Sequence, residues 1–241
     1  MKKSLLCLLS VMVLGVVSVP AQQKESTPAL TAGEQEKHTE EKHTKPILDE
    51  LKLNNPEKEA RVKEIVMAHL KALDAWHMEN DAQIKALWGE FNKARSAQNE
   101  TNWDAALAKI DGVYASFKPE HEKFLSELST VLTPEQVETV KDVMTVNKVE
   151  VTFHAYGEIF HGLTGENNAF ILKNLKAARE EAIDAGTMNE KSAFFKKYKI
   201  RIEAYLTAHG FDVKQSYKDF VAKQKAEQGG KKAAAPAGEK K

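Results

Sequence analysis

Apolar side chains recur at helical spacing from Val62 to Phe91, through Ile65, Val66, Leu70, Leu73, Trp76, Ile84, Leu87 and Trp88. Residues three and four apart share one face of an α-helix, so this stripe predicts a single amphipathic helix. About 35 to 40 residues at 1.5 Å each make a rod of roughly 55 to 60 Å, with Gly89 its one soft point. A rod of that length buries its stripe only if the rest of the chain folds back along it. No stretch shows the sustained period-two alternation of a half-buried strand. The expected fold class is therefore all-α: a single-domain antiparallel bundle of about six to seven helices, with no sheet.

The helix starts are written into the chain. The sharpest is Leu132-Thr133-Pro134-Glu135-Gln136-Val137, where Thr133 is the N-cap, Pro134 the first helical residue and Gln136 the partner in a capping box. Val137, Val140, Val143 and Met144 follow as its stripe. Thr187-Met188-Asn189-Glu190 is a second capping box, and Asn54-Asn55-Pro56 and Thr164-Gly165-Glu166 are weaker starts. Pro119 must kink or restart the helix that carries Leu107, Ile110, Val113, Tyr114 and Phe117, because a mid-helix proline removes a hydrogen bond and clashes with the preceding turn. Residues 145–151 read as a turn leading into a helix with Phe153, Tyr156, Ile159 and Phe160. Gly162, Gly186 and Gly210 are expected stops, Gly186 as a left-handed C-terminal cap.

Four regions are expected: a signal peptide at 1–21, a disordered polar linker at 22–45, the helical domain at 46–225, and a disordered Lys/Ala-rich tail at 226–241. Met1-Lys2-Lys3 is a basic n-region, Leu5 to Val19 is apolar, and Val19-Pro20-Ala21 offers small residues to a signal peptidase. The apolar run of about 15 residues is short of the roughly 20 that span a bilayer. An exported location, periplasmic or extracellular, follows as an expectation, with no stable membrane insertion once the signal is cleaved. Cys7 is the one cysteine, so a chain cleaved after Ala21 has no thiol chemistry or disulfide. Basic and acidic residues number 35 each, and loss of Lys2 and Lys3 leaves the charge at about minus two. That balance argues against nucleic acid as a partner.

The chain contains no Gly-rich phosphate loop, HExxH pair, CxxC, GxSxG elbow or calcium loop. No cofactor and no catalytic residue is expected. His154 and His161 sit seven apart but lack an announced third ligand, and His38 and His43 fall in the charged linker, so no metal site is expected. Glu180 and Asp184, at i and i+4, read as a solvated helix edge rather than an acid/base pair. The aromatic residues Trp76, Trp88, Trp103, Tyr114, Tyr156, Tyr198 and Tyr205 fit core packing. Tyr198 and Tyr205 also stand beside Lys197, Lys199 and Arg201, with Arg179 on the preceding helix, which is the residue chemistry of an acidic-sugar site.

The block from Leu132 to Phe211 resembles a family of exported bacterial helical proteins, a domain of unknown function (DUF3826) catalogued as sugar-binding. The resemblance rests on Leu-Thr-Pro-Glu-Gln-Val at Leu132, Lys141-Asp142-Val143-Met144-Thr145, Val151-Thr152-Phe153 and Ala155-Tyr156. It continues through Ala178-Arg179-Glu180-Glu181-Ala182, Asp184-Ala185-Gly186, Lys197-Tyr198-Lys199, Arg201-Ile202, Tyr205-Leu206 and Gly210-Phe211-Asp212. Upstream, Ala60-Arg61-Val62 and the Leu73 to Lys85 run, with His77, look like the family's first long helix. Val146-Asn147-Lys148 departs from an expected Tyr- and Gly-containing turn, and Pro119 interrupts the second helix. Leu132 to Gln136 also fits the Leu-Thr-x-x-Gln signature of periplasmic helical chaperones and stress sensors.

The resemblance implies non-catalytic binding of an oligosaccharide or polysaccharide, with an acidic glycan favoured by the basic residues. Arg179, Lys197, Tyr198 and Arg201 are the expected ligand contacts along one groove, completed by Asp142, Tyr156 and His77. A chaperone-like role is the alternative, and a glycan-active enzyme the third, since no acid and base stand at a recognisable spacing.

Overall fold

The computed structural model describes residues 32–233. In chain order these form α1 (Ala32–Thr39), a π-helical turn (Glu40–Thr44), α2 (Lys45–Leu51), α3 (Pro56–Ser96), α4 (Glu100–Tyr114), α5 (Lys118–Ser129) and α6 (Pro134–Met144). There follow α7 (Lys148–Ile159), α8 (Gly165–Ala182), α9 (Met188–Ala208) and α10 (Val213–Ala233). The fold is all-α, with no strand among the described residues. The expected signal peptide and the last eight residues of the tail lie outside them.

The starts are capped as their residues dictate. Thr133 and Gln136 form the full capping box, with the Thr133 N–H donating to Gln136 Oε1 at 3.1 Å and the Gln136 N–H to Thr133 Oγ1 at 3.3 Å. Thr164 with Asn167 and Thr187 with Glu190 repeat the device at α8 and α9. Asn55 caps α3 by accepting from the Lys58 N–H at 3.0 Å. Pro119 restarts rather than kinks, because α5 begins at Lys118 after a turn. Gly162 and Gly210 take φ of +82° and +87°, the left-handed region where a side chain would be strained.

Gly186 corrects an expectation. Helix α8 ends at Ala182, and Gly186 is not left-handed. A Cβ on Gly186 would lie 3.0 Å from the His77 ring, so the glycine is there for close approach rather than for a cap. The expected linker is also partly helical: residues 32–44 form α1 and the π turn, Thr44 is fully buried, and Lys63 pairs with Glu40 at 2.6 Å. At the other end α10 continues past 225 to Ala233. Polarity alone had marked both stretches as unfolded; contact with α3 is what orders the first.

Helix α3 passes through two apolar cores. Its first half gives Val62, Ile65 and Val66 to a core shared with Ile47 and Leu51 of α2, Phe124 and Leu128 of α5, and Val137 and Val140 of α6. Its second half gives Ile84, Leu87, Trp88 and Phe91 to a larger core with α4, α7, α8 and α9. The turn after α8 straddles them, since Ala182 and Ala185 belong to the larger core and Ile183 to the smaller. Asp184 falls between, and the buried histidines of α3 face it.

Candidate functional site

The seven residues expected to share a groove occupy four places. Arg179 and Asp142 come together. The Arg179 side chain is buried at 1 % exposure, and its guanidinium donates to Asp142 Oδ1 and Glu138 Oε2, both at 2.6 Å, and to Glu180 Oε1 at 3.2 Å. Lys141 adds contacts to Glu180 at 2.9 Å and Glu138 at 3.3 Å. Burial alone would push the Arg179 pKa down, but the bonds to Glu138 and Asp142 outweigh it and hold it above its ordinary value. Glu138 shows the converse: burial would raise it, yet Arg179 and Lys141 hold it down at about 2. This network clamps α6 to α8.

Lys197, Tyr198 and Arg201 form a second group on α9. Lys197 Nζ donates to Asp111 Oδ1 at 2.7 Å and Glu181 Oε2 at 2.8 Å, and the Tyr198 hydroxyl donates to Glu181 Oε1 at 2.6 Å. Burial and the Glu181 carboxylate push the Tyr198 pKa up. The Arg201 guanidinium stands 5.4 Å from the centre of the Tyr198 ring, and Lys197 Nζ 5.5 Å from it. Arg201 is exposed and, among the described residues, makes no ion pair. Glu180 and Glu181 explain the split from Arg179: adjacent helical residues point about 100° apart, so one faces α6 and the other α9.

Tyr156 lies in the larger core, its ring stacked on Phe160 at 5.7 Å. Burial first, then the charge of Glu203, raises its pKa. His77 is elsewhere again, with Nδ1 2.8 Å from Asp81 Oδ1 and Nε2 2.9 Å from the Asp184 carbonyl oxygen. His154 and His161 are both exposed, and α7 ends at Ile159, so they share no helical face.

Between the cores lies a polar layer centred on Asp184, which helical spacing placed on a solvated edge. Asp184 is buried, not solvated, because α8 stops before it and the turn carries it inward. Its Oδ2 is 2.8 Å from His121 Nδ1, off the direction of the ring N–H, and its Oδ1 is 3.5 Å from His69 Nε2. His69 stacks on Phe124 at 4.0 Å, and neither ring nitrogen has a hydrogen-bond partner. Lys191 Nζ donates to the carbonyl of Ala182 at 3.2 Å.

Each charge here feeds the next. Burial pushes the Asp184 carboxyl up against the pull of His121. The Asp184 carboxylate raises His121. Burial, then the charges of His121 and Lys191, drives His69 down to about 3. Burial lowers Lys191 to about 8 despite Asp184 and Glu190. A signal for two of these residues was present: His69 and His77 continue the buried stripe of Val62, Ile65, Val66 and Leu73 at steps of three and four. Asp184, His121 and Lys191 carried none.

Residues 36–226 match the family described as protein of unknown function (DUF3826). The chain belongs to this family. The match extends from α1 into α10 and takes in all four places above. No curated protein matches the chain. The Leu-Thr-x-x-Gln signature, for its part, serves as a helix start: Leu132 is buried, Thr133 caps and Gln136 closes the box.

No helix among the described residues is long and apolar enough to cross a membrane.

Proposed function

We propose that this family member is exported with its signal cleaved after Ala21, and that it binds carbohydrate without turnover at the α9 edge built from Lys197, Tyr198 and Arg201. One observation carries the binding reading: Arg201 is an exposed guanidinium placed beside an aromatic ring, with no ion pair to a carboxylate among the described residues. A guanidinium grips a carboxylate or two neighbouring oxygens through paired N–H donors. Lys197 is already shared between the carboxylates of Glu181 and Asp111, so the cation whose donors remain for a ligand at this edge is Arg201. An acidic sugar matches it better than a neutral one. Arg179, closed to solvent and held by three carboxylates, positions α8 behind this edge instead of contacting ligand.

Calorimetric titration with neutral and uronic-acid oligosaccharides, beside an assay for suppressed aggregation of an unfolded client, tests this. Saturable heat with the acidic class alone is the expected result. Client protection without sugar heat would replace the reading with a chaperone-like one, and consumption of the glycan would replace it with an enzyme. Export is tested separately by sequencing the N-terminus of the protein from its native host, with Gln22 expected and Met1 contradicting it.

A further inference from the structure

The buried end of His77 opens on a set of groups that the carbohydrate reading does not use. One ring nitrogen of His77, a carboxylate oxygen of Asp81 and one of Glu190 lie within 4.8 Å of one another, and Nδ1 is the nitrogen beside Asp81. His77 and Asp81 are four apart on α3 and so project from one face. Glu190 arrives from the first turn of α9, held there by its capping box with Thr187. Two helices distant in sequence thus aim one imidazole and two carboxylates at one point.

Three further features suit a cation at that point. His77 has 5 % exposure, and both ring nitrogens face oxygen acceptors: the Asp184 carbonyl at 2.9 Å and the Asp81 carboxylate at 2.8 Å. A neutral imidazole has one N–H, so satisfying the carbonyl leaves the Nδ1 lone pair facing a carboxylate oxygen, an arrangement that a bound cation resolves. The bond to the Asp184 carbonyl is also the outer contact that metal-ligating histidines make, fixing tautomer and ring orientation. The ring is further located by Gly186, which a Cβ would bring to 3.0 Å, and by the edge of Trp76 at 4.9 Å.

We infer that His77, Asp81 and Glu190 form a binding site for a divalent transition-metal ion, with His77 Nδ1 and one oxygen from each carboxylate as ligands. The mixed nitrogen and oxygen set suits Zn²⁺ or Mn²⁺ better than an all-oxygen ion such as Mg²⁺. Ligands about 2.0 to 2.1 Å from Zn²⁺ stand roughly 3.3 Å apart in a tetrahedron, so the His77–Asp81 contact widens and Glu190 closes in. Asp81 is 63 % exposed, which gives the ion a path in from solvent and leaves its remaining position to water.

The test uses the full chain, stripped with EDTA and desalted, then titrated separately with ZnCl₂ and MnCl₂ by calorimetry, with the melting temperature read in parallel. One equivalent of saturable binding and a rise in melting temperature are expected with at least one of the ions. Asp81→Asn and Glu190→Gln should each weaken it tenfold or more, as loss of a ligand does. Glutamine keeps the capping box, so Glu190→Gln separates metal binding from helix stability. His154→Ala, an exposed histidine on α7, should leave affinity unchanged. No binding of either ion, or affinity unaltered in both carboxylate variants, overturns the site.

Discussion

Arg179 and Arg201 lie on neighbouring helices, and sequence reasoning assigned both to one groove, yet their surroundings are opposite. Arg179 has 1 % exposure and three carboxylate partners, two of them at 2.6 Å. Arg201 is exposed, has no ion pair among the described residues, and rests beside the Tyr198 ring. A buried guanidinium must be paired, because taking a charge out of water costs several kcal/mol unless its hydrogen bonds are met. The first arginine is therefore committed to joining α6 and α8. The second stands at the surface with its donors in no ion pair among the described residues. The difference comes from one step along α8: Glu180 turns to Arg179, and Glu181 turns to Lys197 and Tyr198.

The largest expected effect breaks the closed side. Arg179→Ala leaves Glu138 and Asp142 without their partner; since both carboxylates are more than a third exposed and can rehydrate, the loss should be about 2 to 3 kcal/mol rather than the full buried-pair cost. Chemical denaturation measures it, and a loss under about 0.5 kcal/mol, the surface level, would mean the clamp is not structural. Arg201→Ala should fall within that surface range.

The same network sets a pH limit. Glu138 is depressed in the folded state to about 2 from an unfolded 4.5, so it contributes stability above 4.5 that is lost as pH falls toward 2. His69 adds to the acid limb from higher pH. Its folded pKa is about 3 against 6.5 unfolded, so protonation favours the unfolded chain as pH drops from 6.5 to 3. His121 opposes this, being raised in the fold, with stability present below 6.5 and lost as pH rises through its folded value. His69→Phe keeps the stack on Phe124 and should flatten stability between pH 6.5 and 4.5, leaving the Glu138 limb below. Melting temperature against pH for both proteins reads this directly, and an unchanged slope would contradict the assignment.

Smaller effects probe the backbone. Gly186→Ala forces a methyl to 3.0 Å from the His77 ring and should cost about 1 to 3 kcal/mol, the range of overpacking. Val146 holds φ of +51° at an exposed turn, a conformation that disfavours branched side chains, so Val146→Gly should stabilise by about 0.5 kcal/mol. Thermal denaturation of each variant fixes the sign.

What was legible in the sequence was local. Thr133 with Gln136 and Thr187 with Glu190 specify capping boxes within four residues, and the α3 stripe announces the rod. The pairing of Arg179 with Glu138 was not legible, since it crosses 41 residues and depends on how α6 meets α8. Asp184 was read as solvated because helical spacing from Glu180 was assumed to continue, whereas α8 stops two residues earlier. The linker showed the same limit: Thr44 is polar by type but buried by its place against α3, where its hydroxyl donates to Met67 Sδ at 3.2 Å. Tertiary placement decided each of these, and residue type carried no trace of it.

The contrast between the two arginines is tested most directly by one paired titration: an acidic oligosaccharide that binds the wild-type chain, added to Arg201→Ala and to Arg179→Lys, with melting temperature recorded for each. Lysine cannot reproduce the paired donors of the guanidinium. The account predicts that Arg201→Ala keeps its melting temperature and loses at least tenfold in affinity, about 1.4 kcal/mol. It predicts that Arg179→Lys loses melting temperature and keeps affinity. Unchanged affinity in Arg201→Ala, or affinity lost in Arg179→Lys at unchanged melting temperature, would contradict it.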